Sequence, residues 1–189
     1  MKFSDQCSRV AKSANATLGM IKRNVVSRNK DVIIRLYKAL VRPKIDYCVQ
    51  AWRPYLKKDI EILEKVQRRA TKIITECKGL GYADRLRVTG LTTLEQRWNR
   101  GDMIETFKTI RGINKVDYKK FFSFSDNTHT RGHKWKLTKN RSRLECRRNF
   151  FSCRAVDRWN KLPGNIVESS TTNSFKNNYD KYINKVGYQ

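Results

Sequence analysis

The sequence predicts a mainly α protein: a helical bundle followed by a basic, partly irregular C-terminal region with short helices. Two observations carry that prediction. Apolar residues recur at steps of three and four through several separate stretches, as in helices with one buried face. Between residues 113 and 151 the pattern breaks into Ser, Asp, Asn and Thr clusters and then into a run of cations.

The elements follow in order. Cys7, Val10, Ala11, Ala14, Leu18, Ile21 and Val25 form one stripe, with Ser4 as the expected N-cap. Asn29 caps a second helix through Ile33, Leu36, Tyr37, Leu40 and Val41, which Pro43 is expected to end or kink. Ile45, Cys48, Ala51 and Trp52 continue at helical spacing until Pro54. A long third helix runs from about Leu56 to Glu76. Ile60, Leu63, Val66, Ala70, Ile73, Ile74 and Cys77 are its buried face, and Gly79 stands just past its end. Its outer face is expected to hold Glu61, Glu64, Lys65, Arg68, Arg69 and Lys72. There Glu61–Lys65 and Glu64–Arg68 are i,i+4 pairs worth ~0.2–0.5 kcal/mol each.

A helical turn is expected at Tyr82–Val88. Thr92 and Glu95 then read as a capping box for a helix through Leu94, Trp98, Ile104, Phe107 and Ile110, closed by Gly112. Residues 113–131 read as loop, and 134–151 as short strands or an extended arm. Phe150, Phe151, Ala155, Val156 and Trp159 suggest a helix that stops at Leu162-Pro163-Gly164. Asn173 is the expected cap of a last helix through Phe175, Tyr179, Tyr182 and Ile183.

Charge is the outlying property. The 189 residues hold 42 Lys+Arg and 17 Asp+Glu, a net charge of +25. Self-repulsion of that size opposes compaction unless a polyanion neutralises it. A nucleic acid is the first class of partner this suits, and an anionic membrane surface the second. The excess is uneven: residues 1–58 carry +11, 59–112 carry +3, 113–164 carry +10 and 165–189 carry +1. No stretch approaches the ~18 apolar residues of a bilayer span, and the N-terminus has no apolar segment of a signal peptide. Five widely spaced cysteines suit buried free thiols in a reducing compartment better than a disulfide framework.

Catalytic chemistry is not visible. Two-metal phosphoryl transfer needs clustered carboxylates, and the acids here are scattered. Tyr82-Ala83-Asp84 imitates the start of the Tyr-x-Asp-Asp box of reverse transcriptases, but Arg85 follows, which predicts an ion pair rather than a metal site. His129 and His133 are spaced i,i+4, yet Gly132 and the loop composition argue against a zinc-binding helix. They read as loop histidines near a polyanion. Neither a catalytic group, a metal site nor a cofactor is expected.

The basic segment 131–158 is more informative. Arg131, Lys134, Lys136, Lys139, Arg141, Arg143, Arg147 and Arg148 are the expected phosphate-binding cations, with Arg154 and Arg158 continuing the run. They alternate with Trp135, Phe150, Phe151 and Trp159. Cations grip phosphates and aromatics stack on unpaired bases. Phe151 and Trp159 are instead expected in the core. Arg68, Arg69 and Lys72 on the third helix are a second, weaker set of contacts.

Several segments resemble the region after the polymerase palm in non-LTR retrotransposon reverse transcriptases of the jockey-like group. They are Leu36-Tyr37-Lys38-Ala39-Leu40-Val41-Arg42-Pro43-Lys44-Ile45-Asp46-Tyr47-Cys48, Leu63-Glu64-Lys65-Val66-Gln67-Arg68-Arg69-Ala70-Thr71, Leu91-Thr92-Thr93-Leu94-Glu95-Gln96-Arg97-Trp98, Thr130-Arg131-Gly132-His133 and Phe151-Ser152-Cys153-Arg154-Ala155-Val156-Asp157-Arg158-Trp159-Asn160-Lys161-Leu162-Pro163. Their order and spacing match across nearly the whole chain, and residues 1–4 resemble the end of the palm. The resemblance implies a thumb-like helical region over 1–112 and a basic C-terminal region over 113–189. It also implies a grip on RNA or RNA–DNA duplex. The fingers, the palm with its catalytic aspartates, the endonuclease and the C-terminal Cys/His knuckle of some relatives have no counterpart here.

Three readings follow from this. The chain is a nucleic-acid-binding fragment without catalysis, a thumb supplied in trans to a separate palm, or a truncated, non-functional element copy. An RNA partner places it in the nucleus or in a cytoplasmic ribonucleoprotein. No membrane is expected as partner. An apolar face left exposed on the first two helices is expected to drive self-association or to accept a palm domain.

Overall fold

The computed structural model describes residues 3–125 and 132–187. The protein is mainly helical, 68% of it helix, with no strand among the described residues. It divides into two compact units, Met1–Trp98 and Asn99–Gln189.

The first unit is built on α1 (Ser4–Asn24) packed along α5 (Lys57–Lys72). Cys7, Ala11, Ala14, Leu18 and Ile21 of α1 and Leu63, Val66 and Ala70 of α5 are buried in one core. Phe3, not Ser4, occupies the cap position of α1. The Ser4 hydroxyl instead donates to Asp59 Oδ2 at 2.8 Å, tying the start of α1 to the first turn of α5.

Asn29 caps α2 (Lys30–Leu36), its side chain accepting from the Asp31 N–H at 2.8 Å. Pro43 does not end the helical path. A π turn over Tyr37–Val41 precedes it, and α3 (Arg42–Asp46) carries the proline in its first turn. The wider turn moves the carbonyl that a proline ring would strike, and Arg42 keeps helical angles of −61° and −39°. The path breaks instead at Cys48, whose φ of 49° is left-handed. A short α4 (Val49–Trp52) follows. Val32, Leu40 and Tyr47 are exposed along this path, whereas the stripe of α1 is covered.

The outer face expected for α5 is only partly outer. Glu64 is buried, 7% exposed. It accepts from the Tyr82 hydroxyl, from the Leu94 N–H at 2.9 Å and from Gln67 Nε2 at 3.3 Å. No Glu64–Arg68 or Glu61–Lys65 ion pair forms among the described residues. The reason is tertiary. α6 (Tyr82–Thr89) covers that side of α5, so Glu64 satisfies its neighbours' donors instead of facing water. Gln67, buried beside it, donates to the Thr92 carbonyl at 2.9 Å and accepts from the Tyr37 hydroxyl at 2.9 Å. α5 is followed by a 3₁₀ turn (Thr75–Cys77), and Gly79 has the left-handed φ of 75° that the end of this segment needs.

The capping box of α7 (Leu94–Ile110) lies one residue later than expected. Thr93 Oγ1 accepts from the Gln96 N–H at 3.2 Å, and Gln96 Oε1 accepts from the Thr93 N–H at 3.1 Å. The unit boundary falls inside α7. Its early residues Leu94 and Trp98 belong to the first core, and Met103, Ile104, Phe107 and Ile110 to the second. The division read from the sequence, after residue 112, corresponds to the end of this helix.

The second core is aromatic. Phe107 and Phe175 stack at 4.5 Å between centroids, and Phe151 meets Phe122 edge-on at 5.5 Å. Phe151 and Trp159 of α9 (Phe151–Asn160) are 7% and 1% exposed, inside the core as expected. The extended region holds a 3₁₀ turn at Tyr118–Lys120, one isolated antiparallel bridge between Phe124 and Leu137, and α8 (Glu145–Arg148). α10 (Gly164–Val167) and α11 (Thr172–Val186) close the chain. Thr171, rather than Asn173, caps α11, its hydroxyl accepting from the Ser174 N–H at 3.1 Å.

Candidate nucleic-acid interface

Most cations of the basic segment are sorted by what holds them. Arg154 turns inward onto Asp102, and Arg158 Nη1 donates to Asn99 Oδ1 at 2.7 Å. Both secure α9 to α7 and are not free for phosphate. Lys134 lies 3.9 Å from Glu168, and Lys139 pairs with Asp157. Both pairs are exposed, so their worth is only ~0–1 kcal/mol and a polyanion can displace them. Lys136 is half-buried, its aliphatic end against Gly132.

Arg147 and Arg148 lie in α8; just before it, Arg141 and Arg143 share one loop. Its form is set by Arg148, which bends back on the chain. Its Nε donates to the Ser142 carbonyl at 3.2 Å and its Nη2 to the Arg143 carbonyl at 3.1 Å. Ser142 Oγ adds a bond to the Leu144 carbonyl at 3.2 Å. The guanidiniums of Arg141 and Arg143 are exposed and have no acceptor among the described residues. Arg147 lies over the ring of Phe150 at 5.4 Å. Phe150 is 38% exposed and Leu144 68%, although Phe151 next to it is in the core. The alternation of basic and aromatic residues already places Phe150 among the rings expected to stack on bases. Nothing in the sequence shows that Arg148 braces the loop. Arg131, like His129, lies outside the described residues.

The first unit carries a second basic site. Arg69 and Lys72 of α5 line an open groove with Lys22 of α1. Leu18, Gly19 and Ile73 also line it, and Asn15 Oδ1 is buried there without a partner among the described residues. Lys22 joins this set only because α1 packs on α5. Arg68 points elsewhere, over the Tyr82 ring at 4.9 Å.

The expected ion pair of Asp84 with Arg85 is corrected. Asp84 pairs with exposed Arg87 at 2.5 Å, while Arg85 is buried and donates to Thr71 Oγ1 at 3.1 Å and the Leu80 carbonyl at 2.8 Å. His133 is a core residue rather than a loop histidine. It is 6% exposed, edge-on to Trp159, with Nε2 3.1 Å from the Trp159 carbonyl. Burial lowers its pKa, and the bond to the carbonyl opposes that shift. Among the described residues no group of three His, Cys, Asp or Glu side chains is placed to hold a metal ion. The five cysteines are free. Cys7, Cys77 and Cys153 are buried, but Cys48 is exposed, because its left-handed backbone turns it away from the core. No described helix is long and apolar enough to cross a membrane.

Compared with known proteins, the chain matches no family model, no curated protein and no solved structure.

Proposed function

We propose that the chain is a nucleic-acid-binding segment of a non-LTR retrotransposon RNA-directed DNA polymerase, binding RNA or RNA–DNA duplex without a catalytic step of its own. The observation that carries the binding role is the loop over 139–148. Two guanidiniums there are exposed and have no acceptor among the described residues, in a chain of net charge +25. Unmatched arginines repel one another, and a phosphodiester backbone removes that repulsion while releasing counterions. The groove of Lys22, Arg69 and Lys72 supports the same role for the first unit. The polymerase origin rests on the motif resemblance.

The test is binding of labelled RNA and RNA–DNA duplex, followed by anisotropy across a salt series. Affinity should fall steeply with salt. Replacing both Arg141 and Arg143 with Ala should reduce the slope of log K against log salt by roughly 1.4–1.8, from ~0.7 per phosphate for a single strand to ~0.9 for a duplex. A flat salt dependence overturns the reading. Primer extension by the chain alone would overturn the absence of a catalytic step.

A further inference from the structure

We infer that the segment Lys139–Phe150 receives an unpaired strand, with phosphates on Arg141 and Arg143 and a base stacked against the Arg147–Phe150 pair. The inference rests on the nucleic-acid reading and narrows its partner. Phe150 and Phe151 are neighbours with opposite fates, the first 38% exposed and the second 7%. The exposed ring is joined by Arg147, whose guanidinium lies 5.4 Å from its centroid. Leu144, 68% exposed, stands at the start of the same turn. A duplex has no use for such a surface, because its base faces are already stacked inside it. An unpaired strand offers those faces, and both aromatic rings and guanidinium planes accept them.

The cations are placed to suit a strand as well. Arg148 fixes the loop by its bonds to the Ser142 and Arg143 carbonyls, which ties the backbone around these residues to the turn that carries Arg147 and leads into Phe150. Lys139 adds a cation paired with Asp157, an exposed acid. The one carboxylate inside the segment, Glu145, is exposed. A membrane surface fits less well. The apolar part is Leu144 and Phe150 alone, on a helix of one turn, far short of an amphipathic helix that beds into headgroups.

The test uses the full chain with four probes: a short adenosine-rich RNA, the same strand with abasic sites, a duplex of equal length, and anionic phospholipid vesicles. Phe150→Leu keeps an apolar side chain and removes the ring. Far-UV circular dichroism and the urea midpoint check that it folds. It should weaken the unpaired strand about tenfold, leave duplex binding unchanged, and keep the salt slope. Phe150→Trp should restore the affinity. The abasic strand should bind the parent chain about tenfold more weakly, with no further loss in Phe150→Leu. If both nucleic acids bind with steep salt dependence but Phe150→Leu affects neither or both alike, the stacking site is overturned and the broader reading stands. If no nucleic acid binds at low salt, or only vesicles do, both are overturned.

Discussion

The Arg154 guanidinium meets the Asp102 carboxylate fork to fork, with Nε donating to Oδ2 at 2.8 Å and Nη2 to Oδ1 at 2.9 Å. The side chains are 11% and 2% exposed, and Arg154 Nη1 also donates to the Asn149 carbonyl at 2.9 Å. Removing one partner leaves the other charge buried. Arg154→Ala and Asp102→Ala should each lower the unfolding free energy by about 3–5 kcal/mol in urea titrations. The double variant should lose less than the sum of the two. At salt concentrations where Arg154→Ala is folded, its nucleic-acid salt slope should match that of the parent, because Arg154 faces α7 and not phosphate.

Thr92 and Thr93 give a sharper comparison. Thr93 accepts from the Gln96 N–H, and Gln96 returns the bond. Among the described residues Thr92 contributes only its carbonyl, to Gln67. Thr93→Ala should therefore cost about 0.5–2 kcal/mol, and Thr92→Ala far less. Equal losses in thermal or urea unfolding would mean that the cap is shared.

These threonines show where the sequence was legible. The helices were readable because each apolar stripe is local and periodic. Ala11, Leu18 and Ile21 needed no partner to be identified as a buried face. The capping box was misplaced by one residue because Thr92 and Thr93 are chemically alike and both precede a residue that can return the bond. Glu64 was misassigned because a helical wheel cannot see α6, which arrives from residues 82–89 to cover it. The interface was legible as a cation run but not as a site. Its composition does not separate Arg154, held by an acid 52 residues away, from Arg141, held by none among the described residues.

His133 makes stability pH-dependent. Its ordinary pKa is 6.5, and burial lowers it in the fold. The unfolded chain therefore binds more protons below about that pH. The stability from keeping the ring neutral is present above 6.5 and is lost as pH falls through the lower, folded value. Urea midpoints should drop on acidification from neutrality, before the carboxylates titrate. His133→Gln keeps a donor for the Trp159 carbonyl and should flatten that part of the curve, with His129 still present as the control. An unchanged profile would assign the pH dependence elsewhere.

Cys48 combines exposure with a left-handed backbone at φ 49° and ψ 27°. A side chain in this conformation costs roughly 1–2 kcal/mol, and the exposed thiol recovers little of it. Cys48→Gly should stabilise the chain by about 1 kcal/mol. In the native parent, Cys48 should react first with a disulfide reagent. Cys7, whose thiol pKa burial raises to about 12, should react only on unfolding. The variant should lose the fast phase. Destabilisation by Cys48→Gly would show that the thiol packs against something in solution.

Arg148 tests whether the loop is a shape or merely a charge. It spans the Ser142 and Arg143 carbonyls through two different nitrogens, which a lysine ammonium cannot reproduce on its single one. Arg148→Lys keeps the net charge and removes the brace. If the brace orders Arg141 and Arg143, affinity for an RNA strand should fall by about 1 kcal/mol, roughly fivefold, from the extra ordering now required on binding. The salt slope should stay unchanged, and amide exchange over 140–144 should quicken. If Arg148 only meets a phosphate, Arg148→Lys should bind like the parent, and Arg148→Ala should lower the slope by about 0.7–0.9. The two variants thus separate bracing from contact within the same side chain.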